Sequence, residues 1–100
     1  MFPLKVIYCF TEQPQWKFPV QAGVSAPGKI FRRAVDRNRV KRLLRESYRL
    51  QKQQLYDACK EEEKQLAIFF IYLDKELPDL ADLKEMMQGA LSRLIAIVEH

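Results

Sequence analysis

Arg33-Ala34-Val35-Asp36-Arg37-Asn38-Arg39-Val40-Lys41-Arg42-Leu43-Leu44-Arg45-Glu46 contains neither glycine nor proline, and neither does its continuation to Glu63. A helix is therefore expected over about Arg33 to Glu63, with any break falling near Asp57 to Lys60. At about 100° per residue, Val40, Leu43, Leu44, Tyr48, Leu50 and Leu55 share one face with Ser47. Lys41, Arg42, Arg45, Arg49 and Lys52 gather on the opposite face, joined by Asn38, while Arg39 and Glu46 sit to one side. One face is apolar enough to dock on a sheet. The other is a ladder of cations about 5–6 Å apart. Ordinary solvated faces mix signs, because like charges four residues apart repel. The series Lys41, Arg45, Arg49 costs stability unless an anion relieves it, which points to phosphate.

Charge along the rest of the chain sharpens this. Lys29 to Lys52 holds ten of the seventeen basic residues and two acids, Asp36 and Glu46, a net +8 over 24 residues. The other 76 residues carry seven bases and eleven acids, a net −4, so the overall +4 conceals a strongly one-sided distribution. Such asymmetry suits a polyanionic partner, and the preference for Arg over Lys suits phosphate, which a planar guanidinium grips with two donors.

Outward from the helix, Leu4 to Phe10 reads as a strand. Thr11 to Gln15 reads as a connection, and residues 16–25 as a second strand with Phe18, Val20, Ala22 and Val24 on one parity. So short a connection predicts an antiparallel hairpin. Ser25-Ala26-Pro27-Gly28-Lys29 is a loop. Leu66 to Leu73, eight unbroken apolar residues, is expected in the centre of the sheet. Asp79 is the expected N-cap of a last helix whose Leu80, Leu83, Met86, Met87, Ala90, Leu91, Leu94, Ile95 and Val98 recur at three- and four-residue spacing. The order β-β-α-β-α predicts an α+β fold, a two-layer α/β sandwich, with residues 1–100 as one domain.

Several classes are excluded or disfavoured. Eight apolar residues are far short of the roughly twenty that span a bilayer. A membrane-surface helix is disfavoured because the apolar face is committed to the core. No secretory signal is visible. Cys9 and Cys59, fifty positions apart with no internal histidine, suggest neither zinc nor a disulfide framework but reduced thiols in the cytoplasm. Hydrolysis by the protein itself would need clustered acids or a histidine base. Instead Glu61 to Glu63 read as a solvated helix end, Asp79 and Asp82 as helix-start residues, and terminal His100 is given no role. Tyr8, Phe10 and Phe18 could stack on unpaired bases, although core packing is the expected role of Phe10 and Phe18.

The stretch from Arg33 to Glu46 closely resembles the signature of the bacterial ribonuclease P protein component. In that family a basic residue, Ala-Val and one variable position precede Arg-Asn-Arg, an apolar residue, Lys-Arg, two apolar residues and Arg, and every position is met here. Val6-Ile7-Tyr8, the Val24-Ser25 strand exit, the apolar strand ending at Tyr72 and the closing helix agree in outline. The resemblance implies a fold like domain 2 of ribosomal protein S5, with a left-handed β-α-β crossover contrary to the usual preference. It implies a subunit that joins a catalytic RNA and binds the 5′ leader of precursor tRNA, with hydrolysis by the RNA and Mg²⁺ held mainly there. Arg33, Arg37, Asn38, Arg39, Lys41, Arg42, Arg45 and Arg49 would contact RNA, and Tyr8 would face the leader cleft. No protein partner is implied, and a free monomer is expected. Family members usually begin with a further helix, whereas this sequence starts at Met1-Phe2-Pro3-Leu4; its absence would leave an apolar patch exposed. The alternatives are a ribosomal-protein-like RNA-binding module and a DNA-binding helix in the major groove, although the latter favours a helical, often dimeric scaffold.

Overall fold

The longest apolar run takes the middle of the sheet. The computed structural model describes residues 3–100. In it β1 (Leu4–Thr11), β2 (Val20–Ser25) and β3 (Gln65–Tyr72) form one sheet in the order β1-β3-β2. Helices α1 (Ala34–Gln51), α2 (Gln53–Glu61) and α3 (Leu80–Glu99) make the second layer of an α+β sandwich. Met1 and Phe2, where the expectation of a missing first helix begins, lie outside the described residues.

The expected hairpin does not form. β1 pairs antiparallel with β3, from Leu4 opposite Tyr72 to Thr11 opposite Gln65, and β2 pairs parallel with β3, from Val20 opposite Leu66 to Ser25 opposite Ile71. The second strand starts at Val20 rather than residue 16, because Pro19 has no N–H for a ladder. The link from Thr11 to Val20 is therefore long enough to step across an intervening strand. Placing the most apolar strand between two partners pairs both its backbone edges and buries its Leu66, Ile68, Phe70 and Tyr72 under the helices.

The single long helix divides earlier than expected, at Lys52 rather than near Asp57 to Lys60. There the buried stripe passes from Leu44 and Ser47 to Leu55 with no fully buried side chain between. Gln51 instead donates from Nε2 to the carbonyls of Ser47 (3.1 Å) and Lys84 on α3 (3.0 Å). Lys52 keeps helical backbone angles (φ −71°, ψ −18°), so the two helices remain nearly in phase. Leu50, expected on the docked face, is 48% exposed at the edge of the apolar arc. Helix α2 ends in a left-handed turn at Glu63 (φ 53°), with Glu63 N donating to Lys60 O and Lys64 N to Cys59 O. Asp79 caps α3 as expected, accepting from Asp82 N at 2.8 Å.

Val40, Leu44, Leu55, Phe70, Leu83, Met87 and Val98 are fully buried between sheet and helices. On the other sheet face Ile7 and Phe69 stand exposed beside Cys9. The Phe69 ring lies over Gly23, where a Cβ would come within 2.7 Å of it.

Candidate nucleic-acid interface

The loop before α1 is folded on itself. Ile30 N and Phe31 N both donate to Pro27 O (3.1 and 3.0 Å), and buried Phe31 stacks on Tyr72 with ring centroids 6.2 Å apart. Helix α1 has no side-chain N-cap; its cap position, Arg33, is extended and exposed. Arg37 holds the junction instead, donating from Nη1 to the carbonyls of Phe31 (2.8 Å) and Arg32 (3.0 Å). Its Nε and Nη2 donors stay free of protein partners among the described residues. Arg37 is thus a loop clamp as well as part of the cationic surface.

Burial of Val40, Leu44 and Ser47 orients the helix. Asn38, Arg42 and Arg45 on the far side are exposed and Lys41 is half-buried, one turn apart along the ladder. Arg39 is exposed on the flank and Arg33 stands at the helix start. Among the described residues the chain has one ion pair, Arg49 to Glu46, with Nη2–Oε1 at 2.6 Å and Nε–Oε2 at 3.3 Å. Arg49's hydrogen bond holds the Glu46 carboxyl below its ordinary range, and Glu46 raises Arg49 in turn. Glu46 therefore neutralises the Arg49 rung and no other. The structure brings Asn38, Lys41, Arg42, Arg45 and Arg49 onto one surface, where among the described residues an acid pairs with Arg49 alone.

Tyr8 lies elsewhere. It is on β1, on the face toward α3, in a groove of about 200 Å³ lined also by Val6, Arg93 and Ile97. Because β3 separates β1 from β2, and α1 packs near β2, Tyr8 is at the opposite edge of the sheet from the ladder. Phe10 and Phe18 are not core residues: they are 45% and 55% exposed. Phe10 meets Tyr8 edge-on with centroids 6.3 Å apart, and Lys64 Nζ sits 5.4 Å from its ring centre. Phe18 leans on Tyr56 at 6.2 Å. Tyr56, Lys64 and Arg93 carry no motif that marks them in the sequence. The available signal was Pro19, which ends the strand parity that had put Phe18 inside.

Other polar groups are structural. Burial pushes up the Cys59 thiol and the Tyr48 hydroxyl, and the latter has no hydrogen-bond partner among the described residues. No three His, Cys, Asp or Glu side chains among the described residues converge as a metal site. No described helix is long and apolar enough to cross a membrane.

Comparison with known proteins points to one family. The family model described as Ribonuclease P matches residues 3–95. A ribonuclease P protein component of Porphyromonas gingivalis is 40% identical over 94 residues, covering 94% of this chain and 68% of that protein. One from Chlorobaculum tepidum is 37% identical over 87 residues, covering 76% of this chain and 56% of the relative. Another, from Nitrosococcus oceani, is 61% identical over 33 residues, 33% of this chain and 28% of that protein. No solved structure gives a significant match.

Proposed function

This chain belongs to the bacterial ribonuclease P protein-component family, and from that premise we propose that it is the protein subunit of the ribonucleoprotein that removes the 5′ leader of precursor tRNA. In this reading it binds the catalytic RNA and the single-stranded leader in the cytoplasm. It is a monomer when free, and the RNA performs the phosphodiester hydrolysis. The observation that carries the reading is the row of solvent-facing cations on α1, of which a single member is paired with an acid among the described residues.

The chemistry follows from that row. Arg33, Arg37, Asn38, Arg39, Lys41, Arg42, Arg45 and Arg49 contact RNA. The guanidinium groups grip phosphate oxygens with paired donors, and Asn38 supplies a neutral donor and acceptor between charged neighbours. Binding displaces condensed counterions. Four to six neutralised phosphates on an unpaired strand give a log-log salt slope of roughly −3 to −4. Tyr8 faces the leader from the β1 edge, beside Arg93. Mg²⁺ assists the hydrolysis and is held mainly by the RNA subunit.

The test is reconstitution of the full chain with a bacterial ribonuclease P RNA at low Mg²⁺. Cleavage of precursor tRNA is expected only with the protein present, and tighter holoenzyme binding of precursor than of mature tRNA. Unchanged cleavage on adding the protein rejects the subunit assignment, and equal affinities reject leader binding.

A further inference from the structure

The ladder on α1 leads to a pair of aromatic rings. Lys41, Arg45 and Arg49 are four residues apart; Lys52 follows three residues on, and Tyr56 four after that. Lys52 preserves helical geometry at the junction, and Tyr56 N donates to Lys52 O at 3.0 Å, so the row continues in phase from α1 into α2. The Lys52 ammonium lies 5.1 Å from the centre of the Tyr56 ring. Against that ring, from the segment just before β2, rests Phe18, at 6.2 Å and an interplanar angle of 45°.

Isolated exposed apolar residues are common and need no explanation. Phe18 is different in its setting. It is 55% exposed, its ring is braced by a second ring, and the adjoining lysine makes no side-chain hydrogen bond or ion pair among the described residues. A braced aromatic face next to a free cation, in line with further cations, is the combination that takes an unpaired nucleotide: the base stacks while its phosphate meets the ammonium.

We propose that Phe18, braced by Tyr56, is a stacking step for one unpaired RNA base, with Lys52 holding that nucleotide's phosphate and the strand continuing along Arg45 and Lys41. The step rests on the reading of this chain as an RNA-binding subunit and adds to it a non-electrostatic contact at the α2 end of the ladder. Every base has a π face, so the step tolerates any sequence.

The experiment uses the full chain and single-stranded oligouridine of about eight nucleotides, carrying 2-aminopurine at one position per strand. Wild type is expected to bind with a steep salt dependence and to quench 2-aminopurine at a preferred position. Phe18→Ala should weaken binding about tenfold, leave the salt slope unchanged and abolish the positional quench. Phe18→Trp should restore both affinity and quench. Lys52→Ala should instead flatten the slope by about 0.7. Phe18→Ala with wild-type affinity and quench overturns the stacking step while the cation ladder stands. Wild type that shows no salt-dependent RNA binding overturns the RNA-binding reading itself, and the step with it.

Discussion

At the β1 edge the ammonium of Lys64 lies 5.4 Å from the centre of Phe10, which Tyr8 meets edge-on; at the β2 side the ammonium of Lys52 lies 5.1 Å from the centre of Tyr56, on which Phe18 leans. In composition the two regions are nearly the same: two rings and a lysine. Their surroundings differ. Lys64 donates to Val98 O at 2.7 Å, near the C-terminal end of α3, where the unsatisfied carbonyls and the helix dipole favour a cation. That ammonium is committed to joining the start of β3 to the last helix. Lys52 has no such acceptor among the described residues and continues a row of like charges. The same pair of residue types is a clamp where a backbone carbonyl takes up the ammonium, and an open surface where none does.

Substitutions on the two sides of the sheet test the difference. The largest expected effect lies on the ladder. Arg42→Ala with Arg45→Ala should flatten the salt slope for single-stranded RNA by about 1.4 and weaken binding about 25-fold at roughly 0.1 M salt. The melting temperature should hardly change, since both side chains are exposed. An unaltered slope in titrations at several salt concentrations would make the ladder an ordinary solvated face.

Next comes Lys64→Met, which keeps the apolar stem and removes the bond to Val98. Urea denaturation should show a loss of about 1–2 kcal/mol, with little change in RNA affinity. A variant as stable as wild type but deficient in RNA binding would make the two edges equivalent.

A smaller effect, of opposite sign, is expected from Glu46→Gln. Releasing Arg49 adds one rung, so RNA binding should tighten about fivefold at roughly 0.1 M salt. Acid should act in the same direction, but only at low pH. Arg49 holds the Glu46 carboxyl below its ordinary 4.5, so the pair's contribution is intact above that value and is lost as pH falls through the lowered one. Identical affinities for Glu46→Gln and wild type would mean that Arg49 takes no part in binding.

Much of the cationic surface was legible because it is local. The 3.6-residue period of Val40, Leu44 and Ser47 settles which side of α1 is buried, and so which side carries Asn38, Arg42 and Arg45. The cap at Asp79 and the strand Leu66 to Tyr72 were equally plain, because each depends on residues within a few positions. Position relative to distant segments was not. Phe18 shares a parity with Val20 and was expected inside, yet the strand begins after Pro19, and the ring rests on Tyr56 instead. Arg37 belongs to the cationic motif, but its hold on the Phe31 and Arg32 carbonyls depends on how the preceding loop turns back.

From the amino-acid order alone come the amphipathic helix, its one-sided charge, the apolar strand that takes the centre of the sheet and the family signature. Periodicity and charge spacing along one element are properties of neighbouring residues, so they can be read without knowing what the element touches. Tertiary structure decided that β3 separates β1 from β2, that Tyr8 therefore stands across the sheet from the ladder, and that Lys64 is engaged while Lys52 has no acceptor among the described residues. Those outcomes depend on which distant segments compete for the same backbone edge or the same ammonium. Such competition is resolved only when the whole core packs.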